Sequence, residues 1–337
     1  MRVFIVTPAG KGARNGNRNT AVRWALLIRS LGHEVAIDTQ WSGQPIDMLI
    51  ALHARRSHAS IVRYRAAYGG SPLVLALTGT DLYRDIRFDA DAQESMRLAD
   101  RMIVLQEHAL GEIPIELRAK TRVIYQSAAP LRRSKPAARS FEIAVIGHLR
   151  EEKDPFRAAL ACRYLPDWSR VRILHFGRAM SAQMQAEAQR MMRSEPRYHW
   201  KGEVPHWRIR RHLARARALI ISSRMEGGAN VASEALAGDV PILASAISGN
   251  IGMLGADYAG YYPIEDESAL AALIARFESD AAFRRQLQAQ CRLRKPLTSA
   301  KRERACLGAL INEFTQDAAA RSQPRPTARK LTSAALG

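Results

Sequence analysis

The chain is poor in cysteine, poor in lysine and free of long apolar runs, and each shortage removes a class of protein. Its 337 residues include three cysteines, Cys162, Cys291 and Cys306. An odd number without metal-ligand spacing supports neither a disulfide framework nor a zinc site, and it fits reduced thiols in a cytoplasmic protein. No apolar segment reaches the roughly 20 residues that span a bilayer. The N-terminus enters strand-forming residues directly, without the pattern of a signal peptide. A cytoplasmic location is expected, and an integral membrane segment is not. Acidic residues are outnumbered, with 32 Asp and Glu against 51 Lys and Arg, for a formal net charge of +19. Only eight of those basic residues are Lys, and the Arg is spread along the whole chain. A basic chain attracts anions, from nucleic acid to phosphorylated small molecules. With no interleaving of basic and aromatic residues and no nucleic-acid motif, a nucleic-acid partner is not expected.

What is present is alternation. The length exceeds that of a single core and implies two domains. Val3–Val6, Val35–Ile37, Met48–Leu52, Leu73–Leu77, Met102–Leu105 and Val123–Tyr125 read as strands, and helical stretches separate most of them. Trp24, Leu27, Ile28 and Leu31 recur at the spacing of an amphipathic helix that Gly32 ends. A polar linker, Leu131–Ser140, precedes a second series beginning with Ile143–Ile146 and Val171–Phe176. The fold class is therefore α/β, with two doubly wound, Rossmann-like parallel sheets. The expected domains are 1–135 and 140–300, followed by a helix over 301–314 and a polar, disordered tail from 315.

Between Glu226 and Glu234 the chain reads EGGANVASE. Ala218–Ser222 before it has the apolar run of a buried strand, and Pro241–Ala244 gives the next one. Asn230–Ala237 reads as a helix closed by Gly238. Glu226 then sits on a strand-to-helix loop, Gly227 and Gly228 free backbone N–H groups, and Glu234 lies on the helix. Such a helix start attracts phosphate through its unpaired donors and its dipole. A carboxylate nearby suits ribose hydroxyls.

Two glutamates separated by seven residues in this setting resemble the donor site of family-4 glycosyltransferases of the GT-B fold. The resemblance implies two Rossmann-like domains across a cleft, with the helix over 301–314 crossing back onto the first. It directs Glu226 at the donor sugar and Glu234 at the ribose, with Gly227, Gly228, Ala229 and Asn230 beside the donor. The glycine loop after the first strand (Gly10, Gly12, Gly16) would approach the donor phosphates. Lys11, Arg14, Asn15, Asn17 and Arg18 on that loop supply cations and amides beyond the needs of a neutral sugar acceptor. In GHLREEKDP, Gly147–Pro155, the family places an Arg directly after the Gly and a Lys five residues later, both on the leaving diphosphate. Here Lys153 holds the Lys position, His148 stands at the Arg position, and Arg150 is the candidate substitute. Many relatives carry a His where Thr78 opens TGTDLYRD, which leaves Thr78, Asp81 and Arg84 as cleft candidates. For Asp81 a helix cap is the lesser, alternative reading. Asp89-Ala90-Asp91 spells an acid–any–acid metal motif but falls at a helix start, where capping explains it better, so no metal or other cofactor is expected.

SGNIGMLGADYAGYYP, Ser248–Pro263, together with EGGANVASEALAGDVPILAS and TGTDLYRD, is similar to the selenosugar synthases of selenoneine biosynthesis, over Met1 to about Phe314. That resemblance implies transfer of the sugar of a UDP-sugar, typically UDP-N-acetylglucosamine, to the selenium of selenophosphate, giving a 1-selenosugar, UDP and phosphate. A small multiply charged acceptor suits Lys11, Arg14, Asn15, Arg18 and Arg84. A selenium nucleophile needs no general base, which suits Thr78. The alternatives are an ordinary family-4 transferase acting on a sugar or lipid hydroxyl, and a non-catalytic protein that binds sugar nucleotide or RNA.

Overall fold

The computed structural model describes residues 1–13 and 15–322, with the backbone alone for 317–322. Two parallel six-stranded sheets form the frame. The first contains β1 (Arg2–Val6), β2 (Glu34–Asp38), β3 (Met48–Leu52), β4 (Leu73–Ala76), β5 (Arg101–Val104) and β6 (Thr121–Val123), in the order β2-β1-β3-β4-β5-β6. The second contains β7 (Phe141–Ile146), β8 (Val171–Phe176), β9 (Tyr198–Trp200), β10 (Ala218–Ile221), β11 (Ile242–Ser245) and β12 (Tyr261–Tyr262), in the order β12-β11-β10-β7-β8-β9. Helices cover both faces, so central strands such as β3, β4 and β10 are buried along their whole length and read as unbroken apolar runs. The short strands β9 and β12 have no such run and leave no mark in the sequence.

Each sheet reverses its winding once, between β1 and β3 in the first and between β10 and β7 in the second. Loops diverge on either side of these reversals and leave a crevice at the carboxyl ends of the strands. The two crevices face each other.

The helix expected over 301–314 runs further, as Ala300–Ser322. The disorder expected from 315 is not found as far as 322, where the backbone is helical, and the rest of that expectation, residues 323–337, lies outside the described residues. Leu307, Leu310, Ile311 and Phe314 are buried against Val3, Ile5, Trp24 and Ile28, so the chain returns to the first sheet after building the second. Glu313 accepts from Arg101 on β5 and from Arg122 on β6. On the same helix, the Glu303 side chain is fully buried. Its oxygens accept from Arg23 Nε at 3.0 and 3.1 Å, from Trp24 Nε1 at 2.7 Å and from the backbone N–H of Ser127 at 2.9 Å. Arg23 Nη1 in turn donates to Asn230 Oδ1 of the second domain at 2.9 Å.

The halves also meet backbone to backbone. A Cβ on Gly227 would lie 2.4 Å from the Thr78 carbonyl oxygen and 2.8 Å from Gly79 N, so any larger residue would force the domains apart.

Removing the Glu303 carboxylate takes the shared acceptor from a half-buried guanidinium, an indole N–H and a backbone N–H together. Glu303→Ala should lower the unfolding free energy by about 3–5 kcal/mol, the cost of breaking a buried ion pair from one side. Urea denaturation checks this, and a loss under ~1 kcal/mol would show the network to be dispensable.

Candidate active site

The opposed crevices form one cavity of about 740 Å³ lined by both domains. In the second domain the loop after β7 and the loop after β10 flank the winding reversal, which brings Lys153 to Glu226. Lys153 Nζ donates to Glu226 Oε1, and Ser223 Oγ donates to the same oxygen at 2.6 Å. Ser222 Oγ donates to the Lys153 and Asp154 carbonyls at 3.0 and 2.8 Å, which pins the two loops to each other. Gly249 lets the next helix, Ser248–Leu254, pack onto this loop, because a Cβ there would sit 1.9 Å from the Glu226 carbonyl oxygen. The cation–carboxylate pair is thus held on rigid backbone at a half-buried point of the wall.

Gly228, Ala229 and Asn230 line the cavity at the N-terminus of the Asn230–Ala237 helix, and Glu234 lines it two-thirds of the way along that helix. Glu234 Oε1 lies 2.9 Å from His206 Nε2, on the neighbouring His206–Arg215 helix. That bond raises the His206 pKa, and burial opposes it. Arg150 lines the wall and turns its guanidinium to Glu152, while His148 Nδ1 accepts from the Arg178 backbone N–H at 3.1 Å. Gly227 lies behind the wall, at the contact with Thr78 and Gly79.

In the first domain the outcome is mixed. Asn15, Gly16, Asn17 and Thr78 line the cavity, and Asn15 also caps the Gly16–Arg29 helix by accepting from Arg18 N at 3.0 Å. Six expected residues do not line it: Gly10, Lys11, Gly12, Arg18, Asp81 and Arg84. Gly10, Lys11 and Gly12 are exposed on the outer part of the loop, and Arg84 turns to Asp85 Oδ1 at 3.0 Å. Arg14 lies outside the described residues. Asp81 is a correction as well, because it is fully buried and accepts from the backbone N–H groups of Ala54, Thr78 and Gly79 at 2.8–3.0 Å. It shapes the loop after β4 and does not line the cavity. Asp89 caps the Ala90–Leu98 helix through Ala92 N at 2.9 Å.

The cavity also exposes residues that motif reading passed over. Arg23, His53, Arg56, Thr80, His206 and Arg210 all line it. His53 follows β3 directly, beside the first sheet's winding reversal, and takes the left-handed conformation with φ 78°. The available signal was positional, a titratable residue at the carboxyl end of a strand next to the reversal. The wall carries Arg23, Arg56, Arg150, Lys153 and Arg210 against Glu152, Glu203, Glu226 and Glu234. It can hold an anion beside a group rich in hydroxyls.

Two facing Rossmann-like domains with the site between them define the GT-B fold. The family model described as glycosyl transferases group 1 matches residues 130–294. The second domain therefore resembles that family in sequence, and the chain as a whole has the GT-B fold. Among curated proteins none matches the chain. Similar solved structures include Anabaena HepE in complex with UDP and glucose, at TM-score 0.72 and 15% identity over 94% of this chain and 100% of that one. Sucrose-phosphate synthase from Thermosynechococcus elongatus gives 0.75 and 16% over 94% and 99%. A UDP-forming trehalose-phosphate synthase from Burkholderia vietnamiensis gives 0.67 and 13% over 93% and 81%. Across the described residues no helix is long and apolar enough to cross a membrane.

If Glu234 holds His206 in its protonated form, the imidazole should titrate above the ordinary value of about 6.5. Glu234→Ala should return the midpoint to or below that value, followed by NMR of the ring protons. The pair's contribution to stability is present below the unfolded pKa and is lost as pH rises through the raised folded one.

Proposed function

We propose that this glycosyltransferase moves the sugar of a UDP-sugar, UDP-N-acetylglucosamine first among them, onto the selenium of selenophosphate. The observation that carries the donor half is the Lys153–Glu226 pair set beside the N-terminus of the Asn230–Ala237 helix. A diphosphate fits between the Lys153 ammonium and that helix start, where cation and dipole act on one charge. Glu226 then faces the donor sugar, and Glu234 faces the ribose once His206 yields its oxygen. Similar structures were solved with UDP or UDP-glucose bound, which supports the same donor class here.

In the reaction the bond from the anomeric carbon to the phosphate oxygen breaks and its electron pair stays on UDP. A carbon–selenium bond forms through an oxocarbenium-like sugar. Lys153 stabilises charge that grows as the bond breaks, so it serves the transition state more than the ground state. The acceptor half rests on the resemblance carried by Ser248–Pro263 and on the cation Arg56, which lines the same cavity as Thr78. The roles expected of Lys11, Arg18 and Arg84 pass to Arg56, because those three side chains do not line the cavity. No residue set in this reading calls for a metal, and turnover should survive EDTA.

A hydroxyl acceptor is the second reading, and His53 is the observation that favours it. Thr78 leaves the family's usual position without an imidazole, yet one enters the cavity from the neighbouring strand.

Mass spectrometry of the protein with UDP-N-acetylglucosamine and selenophosphate decides between them. A 1-selenosugar with UDP supports the first reading. Transfer to simple sugar or lipid alcohols, with none to selenophosphate, establishes the second. Under the first reading Lys153→Ala should slow UDP release by ~100-fold with a much smaller change in UDP affinity. Near-normal turnover would move the leaving-group role to Arg150 or Arg23.

A further inference from the structure

The two oxygens of the Glu226 carboxylate are not equivalent. Lys153 Nζ and Ser223 Oγ both donate to Oε1, whereas Oε2 takes no hydrogen bond among the described residues. Glu226 lines the cavity, so Oε2 is the oxygen left for a ligand. Of the two donors on Oε1, the ammonium is the one a second anion can draw on, and the hydroxyl is not.

The Ser223 residue is itself held from behind. Ser245 Oγ, at the end of β11, donates to the Ser223 carbonyl at 2.6 Å. Asn250 Nδ2, on the Ser248–Leu254 helix, donates to the Ser245 carbonyl at 2.9 Å and to Ser245 Oγ at 3.1 Å. A carbonyl only accepts, which fixes the orientation of the Asn250 amide, and that amide in turn leaves the Ser245 hydroxyl to donate toward Ser223. Ser223, Ser245 and Asn250 are all buried. Buried polar side chains cost stability unless their hydrogen bonds are made, and here the bonds converge on the residue that holds Glu226.

We propose that Ser223, braced by Ser245 and Asn250, is a positioning residue for Glu226, and that it keeps Oε2 on a hydroxyl of the donor sugar while the diphosphate draws on Lys153. This rests on the donor half of the proposed function, in which Glu226 faces the sugar. An ammonium between a carboxylate and a diphosphate is shared by two anions, and its hold on Glu226 weakens as charge grows on the leaving group. The Ser223 hydroxyl is neutral and tied to its own backbone, so it stays. An ionised Oε2 only accepts, and a sugar that presents no O–H or N–H to it leaves a charged oxygen without a partner. Ser223 therefore governs recognition of the sugar and leaves recognition of the nucleotide alone.

The test needs no acceptor. Calorimetry measures binding of UDP and of UDP-N-acetylglucosamine to the full chain and its variants, and UDP binding reports a folded cleft. Ser223→Ala should weaken UDP-N-acetylglucosamine by roughly 10-fold, the size of a hydrogen bond to a charged group, and leave UDP unchanged. Asn250→Ala should act in the same direction. In a Glu226→Ala background, Ser223→Ala should cost nothing further, because its effect passes through the carboxylate. An equal loss for UDP and UDP-N-acetylglucosamine in Ser223→Ala overturns the proposal and makes Ser223 a packing residue. So does a sugar-specific loss that persists in the Glu226→Ala background, or no loss in Ser223→Ala where Glu226→Ala shows one. Glu226→Ala that binds UDP-N-acetylglucosamine as the wild type does overturns the role of Glu226 itself, and this proposal with it.

Discussion

One buried carboxylate ties together parts of the chain that lie hundreds of residues apart. Glu303 comes from the terminal helix, yet its partners are Arg23 and Trp24 on the first helix and Ser127 at the exit from the first sheet. Arg23 carries the link across the cleft to Asn230, at the start of the helix that bears Glu234. A charge this deep is tolerated only because a guanidinium, an indole and a backbone N–H meet it together. The relative placement of the two crevices, and with it the shape of the cavity, depends on this contact and on the backbone approach at Gly227.

The legible parts of the molecule are those whose physics is local. A strand buried on both faces announces itself as an apolar run, so β3, β4 and β10 could be read from the sequence. The strand–glycine–helix unit around Glu226 and Glu234 was legible for the same reason, since loop, cap and helix lie within about twenty residues. Lys153 was legible only through the resemblance of GHLREEKDP to the family's pattern after the first strand of the second domain. Arg23, His53, Arg56 and His206 carry no such mark, because each becomes part of a site through partners far away in sequence. Asp81 shows the converse. Its position after a strand suggested chemistry, and three backbone donors instead consume its carboxylate within the loop.

Chemistry is divided unevenly across the cleft. The second domain offers a fixed ion pair, a helix start and a carboxylate already bonded to an imidazole, all on rigid elements. The first domain offers loops after three strands, with Arg56, Thr78 and Thr80 on the surface of the cavity and a buried imidazole behind them. Under the proposed function, the preorganised groups of the second domain suit the diphosphate of the donor, while the loops of the first domain are free to differ. The excess of arginine along the chain is mostly spent outside the cavity, in pairs such as Arg87 with Glu112 and Arg190 with Glu187.

The return of the terminal helix also orders events at the ribosome. Leu307, Leu310, Ile311 and Phe314 complete the core beneath Trp24 and Ile28. The first domain to be synthesised is therefore the last to close, and it waits with an open apolar face while the whole second domain emerges and folds. A nascent chain halted before residue 300 would hold a finished second domain and an unfinished first, a species whose exposed surface is the natural substrate of a chaperone.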